Sequence, residues 1–180
     1  MDLATKNLAN RVAFILFIII GSCVLALLAV MAIFDVSFDR EDHVYVITGE
    51  SMEPNLNDGE KITINESSSY ENNQIVVFEP PDDWPTNQPL LIKRIRATPG
   101  DKIIYKNNTF FVNNNKIYTT PLNQCNIDDY SYTLKDNELF VVGDNTDHSS
   151  DSIRMTCRNI QAFVTTDEVR THGKAIKVDS

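Results

Sequence analysis

Hydrophobic and polar positions divide the chain at residue 34. Val12 to Phe34 runs 23 residues without a charged side chain, interrupted only by Gly21, Ser22 and Cys23. At about 1.5 Å per helical residue such a run reaches about 34 Å, enough for the roughly 30 Å hydrocarbon layer of a bilayer. A secretion signal has a shorter apolar stretch, about 7–15 residues, and ends at a small-x-small cleavage site. Here no Ala-x-Ala lies in or just after the run, and Ala26, Ala29 and Ala32 are spaced by three. The pattern therefore predicts an uncleaved transmembrane anchor over 12–34. Lys6 and Arg11 precede it, whereas Asp35, Asp39, Glu41 and Asp42 crowd its far end with only Arg40 among them. The positive-inside rule then keeps residues 1–11 in the cytoplasm and sends 35–180 across the cytoplasmic membrane, as a single-pass protein.

Beyond the anchor the period changes to that of short strands. Val44–Ile47, Ile75–Phe78, Leu90–Ile92, Ile103–Tyr105, Phe110–Val112 and Leu139–Val142 are β-branched or aromatic runs of strand length. Asn107-Asn108 and Asn113-Asn114-Asn115 fall between such runs as turns, because Asn tolerates a left-handed backbone. Residues 79–89 hold four prolines and read as a surface loop. No amphipathic helix of convincing length follows residue 35. The expected fold is mostly β: an antiparallel-sheet domain on one N-terminal transmembrane helix, with a hairpin-containing insertion at about 102–139.

Composition narrows the function. With 25 acidic against 16 basic residues the net charge is −9. Residues 1–34 sum to +1 (Lys6, Arg11, Asp2), so the remainder carries −10. Such a surface offers no basic face for nucleic acid and no electrostatic adhesion to anionic lipid, so contact with the bilayer rests on the helix. Three cysteines are too few for a disulfide scaffold. An oxidising compartment permits one bond between Cys125 and Cys157, and two free thiols stand as the alternative. His43, His148 and His172 are scattered without ligand spacing, which points to no metal and no cofactor.

Three segments exceed strand and turn chemistry. Thr48-Gly49-Glu50-Ser51-Met52-Glu53-Pro54 sets a serine on a glycine-bearing corner at a strand end. Ile92-Lys93-Arg94-Ile95-Arg96 places a lysine inside a strand-like run, before Thr98-Pro99-Gly100-Asp101. Val142-Gly143-Asp144-Asn145 opens a polar loop that continues through His148-Ser149-Ser150-Asp151. Each alone has another reading: a turn serine, an edge-protecting lysine, a metal-binding loop or a plain turn. Together and in this order behind an anchor, they resemble the bacterial type I signal peptidases, membrane-anchored Ser-Lys proteases. The similarity extends over nearly the whole chain and includes the hairpin at 101–116.

The resemblance implies an endopeptidase that removes N-terminal signal peptides from exported preproteins, with small residues before the cut. Ser51 would be the nucleophile and Lys93 the general base. An ordinary lysine, with a pKa of about 10.4, would need roughly 4–5 kcal/mol to be neutral at pH 7, a cost that burial can remove. Ile92 and Ile95 supply apolar neighbours in sequence. Ser149 would orient the amine, and Asp151 would brace the site by pairing with Arg94. Ile47, Met52, Leu56 and Ile92 would line shallow apolar pockets. The backbone N–H of Ser51 would help hold the oxyanion, and Gly49 stands where many members carry a hydroxyl. Thr146 and Ile153 replace the arginines of Gly-Asp-Asn-Arg and Asp-Ser-Arg, with Arg154 one place late. These departures leave open a specialised peptidase for pilin precursors or conjugation. From another class, a non-catalytic membrane-tethered binding module is the alternative. A self-cleaving Ser-Lys repressor is disfavoured by the anchor and by the lack of a helix-turn-helix pattern.

Overall fold

The structure is a computed structural model that describes residues 14–26, 43–121, 124–125 and 127–178. The chain divides into two compact units, Met1–Glu41 and Asp42–Ser180. In the first, a helix (α1) covers residues 14–26, and its large apolar side chains are exposed, Phe17 by 76% and Leu25 by 69%. Among the described residues no helix is long and apolar enough to cross a membrane. The ends of the anchor read from the sequence, 12–13 and 27–34, lie outside the described residues, as do the acidic residues after it.

The second unit is mostly antiparallel β, as the strand pattern predicts. Its strands are β1 Tyr45–Val46, β2 Lys61–Glu66, β3 Ile75–Phe78, β4 Leu91–Ala97, β5 Lys102–Lys106, β6 Thr109–Val112, β7 Asn115–Thr119, β8 Tyr130–Thr133, β9 Glu138–Val142, β10 Val164–Thr165 and β11 Val169–Lys177. A seven-stranded sheet has the order β1-β2-β11-β3-β4-β9-β10, and a four-stranded sheet the order β7-β6-β5-β8. All six predicted strands form. β4 runs well past Ile92, because Lys93, Arg94 and Arg96 continue its alternation rather than end it. The asparagine turns also form: Asn107, Asn108, Asn113 and Asn114 all adopt positive φ between the hairpin strands.

Three apolar clusters hold the unit together. On one face of the large sheet Ile47, Met52, Leu56, Ile62, Ile75 and Val77 pack together. Val76, Phe78, Ile95, Leu139, Val141 and Met155 pack in a second cluster, with Trp84 of the proline loop, whose indole N–H donates to the Gln161 carbonyl at 2.8 Å. The third joins the small sheet, through Ile103, Tyr105 and Phe110, to Ala97, Phe140, Val142 and Ile153. Ile153 belongs to a six-residue helix, α2 (Ser152–Cys157), whose last residue is bonded to Cys125 by a disulfide. Of the two alternatives left by the sequence, the structure has the bond.

Candidate active site

Strand alternation buries the lysine. Lys93, Ile95 and Ala97 point to one face of β4, and each is buried. Val76 lies directly across from Lys93 on β3 and is fully buried. On the other side of β4 the pairing with β9 starts only at Arg94, opposite Val142, after which the chain turns away through Gly143. Lys93 is therefore one residue beyond the last pair, where the strand edge opens. There its Nζ donates to Ser51 Oγ at 2.8 Å and to the Ile92 carbonyl at 2.8 Å.

Ser51 is held by a corner built from both ends. Gly49 takes φ +83°, a backbone that favours glycine, and its N–H donates to Asp58 Oδ1 at 2.7 Å. Ile47 N–H donates to the Glu60 carbonyl at 2.8 Å, and Gly59 N–H returns a bond to the Ile47 carbonyl at 2.9 Å. Just past the serine, Met52 and Leu56 drive into the apolar cluster and pin the turn. The Ser51 carbonyl accepts from Asn145 N–H at 3.0 Å, which ties this corner to the Gly143–Asn145 loop. The Ser51 N–H has no acceptor among the described residues.

That loop is packed against the serine at its glycine. A Cβ on Gly143 would lie 2.6 Å from the Ser51 carbonyl oxygen and would collide with Ser149. Asp144 receives both arms of Arg94, Nε at 2.7 Å and Nη2 at 2.6 Å, and Asn55 Nδ2 at 2.9 Å. Asp151 is completely buried: one carboxylate oxygen accepts from Gly143 N–H at 3.0 Å and the other from Arg154 N–H at 3.1 Å.

The expected pairing of Asp151 with Arg94 is therefore corrected. Arg94 alternates to the opposite face of β4 from Lys93, where Asp144 meets it, whereas Asp151 lies toward Lys93 and caps α2. Ser149 is buried, and its Oγ makes no hydrogen bond to Lys93. Packed behind Gly143, it instead helps Asp151 keep its charge. Arg154, one place after the expected arginine, lies in α2. The segment is helical rather than extended, and the Arg154 side chain reaches back to the Asp147 carbonyl at 2.8 Å. Ile47, Met52 and Leu56 do gather with Ile92, but they are only 3, 1 and 5% exposed. They form the floor under the corner rather than an open wall. Gly143, Asp144 and Asn55 also belong to the site; the Gly-Asp-Asn loop carries the first two, and Asn55 has no sequence signal of its own.

Burial dominates the electrostatics. It lowers the Lys93 amine from 10.5 to about 8, against the pull of the Asp151 and Asp144 charges. Burial likewise pushes the Asp151 carboxyl up, although the Gly143 and Arg154 N–H groups, Ser149 and Lys93 all work the other way. Each member of the pair is thus displaced toward its neutral form, as expected when two titratable groups share a dry site. Partial burial alone would raise Asp144 too, but the hydrogen bonds from Arg94 and Asn55 hold it below the usual carboxylate range.

The family profile described as signal peptidase, peptidase S26, matches residues 12–177. The chain belongs to that family. Signal peptidase IB of Staphylococcus aureus is 32% identical over 155 residues, covering 72% of this chain and 73% of that protein. Signal peptidase I of Bacillus amyloliquefaciens is 33% identical over 123 residues, 60% of this chain and 63% of its own length, slightly under two thirds of that relative. A solved signal peptidase I from Enterococcus faecalis overlaps 57% of this chain and 95% of its own at 21% identity and a TM-score of 0.39, a likeness too slight to carry weight. Family membership bears out the expectation of an endopeptidase that removes signal peptides.

Proposed function

We propose that this signal peptidase cuts by a Ser51–Lys93 dyad while tethered to the membrane by residues 12–34. The carrying observation is the 2.8 Å contact between Ser51 Oγ and the amine of a lysine that burial brings down to about 8. In the neutral state Lys93 accepts the hydroxyl proton as Ser51 Oγ attacks the scissile carbonyl carbon. The resulting ammonium then gives that proton to the departing amine, and an acyl-serine remains. Lys93 next takes a proton from water as the water oxygen attacks the ester carbonyl, and the ammonium returns that proton to Ser51 Oγ as the acyl–oxygen bond breaks, which regenerates the serine and the neutral amine. The Ser51 N–H, free of an acceptor among the described residues, is one donor for the oxyanion. Gly49 N–H is committed to Asp58 and offers no second donor in this geometry.

The substrate is an extended signal peptide whose residues before the cut are small. Supporting this, β4 has an open edge at Lys93, and a chain can add to such an edge by backbone pairing. The floor of Ile47, Met52 and Leu56, with Ile92 beside it, is filled, so only shallow depressions are left for side chains. Asp144 and Arg94 position the loop, and Asp151 and Ser149 support the lysine from behind.

The proposed organisation is 1–11 in the cytoplasm, 12–34 in the bilayer and 35–180 on the extracytoplasmic side, with the small sheet inserted at about 102–139. The apolar run and its flanking charges support it. So does the outer face of the large sheet, where Val44, Val46, Ile176 and Val178 stand 52, 56, 47 and 37% exposed. The non-catalytic module gives no reason to bury a lysine against a serine. No observation favours a restricted, pilin-type substrate range over a general one.

The test is cleavage of an Ala-x-Ala preprotein, beside a pilin precursor, by the detergent-solubilised full chain. Loss of cutting in Ser51→Ala and in Lys93→Ala is expected, and activity that survives either substitution contradicts the dyad.

A further inference from the structure

A six-residue helix is too short to hold its own position in water, yet α2 carries the aspartate that backs the active site. Something else must fix it. At its first end Asp151 caps the helix and bonds Gly143. At its last residue Cys157 is bonded to Cys125, 32 positions earlier. Cys125 is itself buried in the cluster that contains Ile153, Phe140 and Val142, and its carbonyl accepts from Tyr105 Oη at 3.2 Å. The bond thus attaches α2 to the small sheet through a residue that the small sheet holds.

Resting on the Ser51–Lys93 reading, we infer that the Cys125–Cys157 disulfide is a positioning device for catalysis: by holding the far end of α2, it keeps Asp151 locked against Gly143 and the lysine site dry. A second, weaker clamp acts nearby, where Tyr118 Oη donates to Asp147 Oδ1 at 2.5 Å and Arg154 holds the Asp147 carbonyl. The charged groups around the lysine are few. Lys93 faces Ser51, Asp151 and Asp144, the last already engaged by Arg94 and Asn55. Asp151 faces Lys93, Ser149 and the two N–H groups, with the Tyr118 phenol farther off.

Releasing Cys157 lets α2 fray and admits water between Asp151 and Lys93. Hydration favours the charged amine, and an ionised Asp151 nearby favours it further. Both effects move the lysine toward its ordinary pKa, so the neutral base appears only at higher pH. A disulfide serving stability alone would leave the pH dependence where it is.

The experiment uses the full chain in detergent, comparing wild type with a Cys125→Ala/Cys157→Ala double variant. Fold is followed by circular dichroism, and kcat/KM for an Ala-x-Ala preprotein is followed against pH. The expected result is an alkaline shift of the ascending limb by about one unit, hence roughly tenfold slower cleavage at neutral pH, with KM little changed. A limb that stays in place, or moves to lower pH, in a folded variant overturns the inference. If the double variant does not fold, wild type is treated with dithiothreitol, which is oxidised to its cyclic disulfide while Cys125 and Cys157 become thiols. The same shift, reversed on reoxidation, supports the inference; no shift after two new thiols are titrated overturns it. Oxidised wild type inactive at every pH overturns the dyad reading and this inference with it.

Discussion

With its amine near 8, Lys93 is neutral in roughly one molecule in ten at pH 7, against fewer than one in a thousand for an ordinary lysine. The same burial works against the fold. Between pH 8 and 10.5 the unfolded chain binds more protons at this residue, so its contribution to stability rises with pH across that window. Below pH 8 the full penalty, roughly 3 kcal/mol, persists. Lys93→Met is therefore expected to abolish cleavage while raising stability by about 1–3 kcal/mol in urea unfolding at pH 7. A less stable variant would mean that the amine is not buried at a cost. Gly143→Ala has the opposite profile. Its Cβ has no room between Ser51 and Ser149, so the serine corner must move, and a fall in kcat of at least tenfold is expected from single-turnover measurements. The meeting of Ser51 and Lys93 is legible from sequence through the short motifs that carry them. The partner of Arg94 is not, since it depends on which face of β4 each side chain takes, and Asp144 and Asp151 look equally eligible along the chain.

The strands show the same division. β3, and β9 after Glu138, are buried on both faces and read as unbroken apolar runs, so they stand out in the sequence. β2 (Lys-Ile-Thr-Ile-Asn-Glu) and β11 (Val-Arg-Thr-His-Gly-Lys-Ala-Ile-Lys) alternate with polar residues and escape a search for such runs, although they pair along five positions. The helix α2 escapes because six residues hold too little of the 3.6 period to register. What anchors it is a cap and a covalent bond, both tertiary facts. Asp151→Ala removes that cap and leaves the buried Gly143 N–H without its acceptor, a cost of about 2–4 kcal/mol by urea unfolding. Asp144→Ala strands the Arg94 guanidinium, whose side chain is 19% exposed, and is expected to cost about 1–3 kcal/mol. A loss below 0.5 kcal/mol in either would show that the loop is held by other contacts.

Taken whole, the chain joins an apolar segment of near-neutral charge to a domain carrying −10. The net charge of that domain is unfavourable toward anionic lipid, so the tether proposed above is residues 12–34, with the exposed row at Val44, Val46, Ile176 and Val178 as a secondary contact. Deleting residues 1–34 is expected to move most of the protein from the membrane fraction to the soluble fraction on sedimentation, and unchanged partitioning would contradict the tether. The disulfide closes a loop with a sequence separation of 32, worth about 3–4 kcal/mol by chain entropy, and it crosses from the small sheet to the helix behind the site. The most direct measurement is kcat/KM for an Ala-x-Ala preprotein as a function of pH, with the full chain in detergent. A rise along a limb centred near pH 8, absent in Ser51→Ala and Lys93→Ala, is the predicted result. A profile flat from mildly acidic to alkaline pH would contradict a neutral Lys93 as the base.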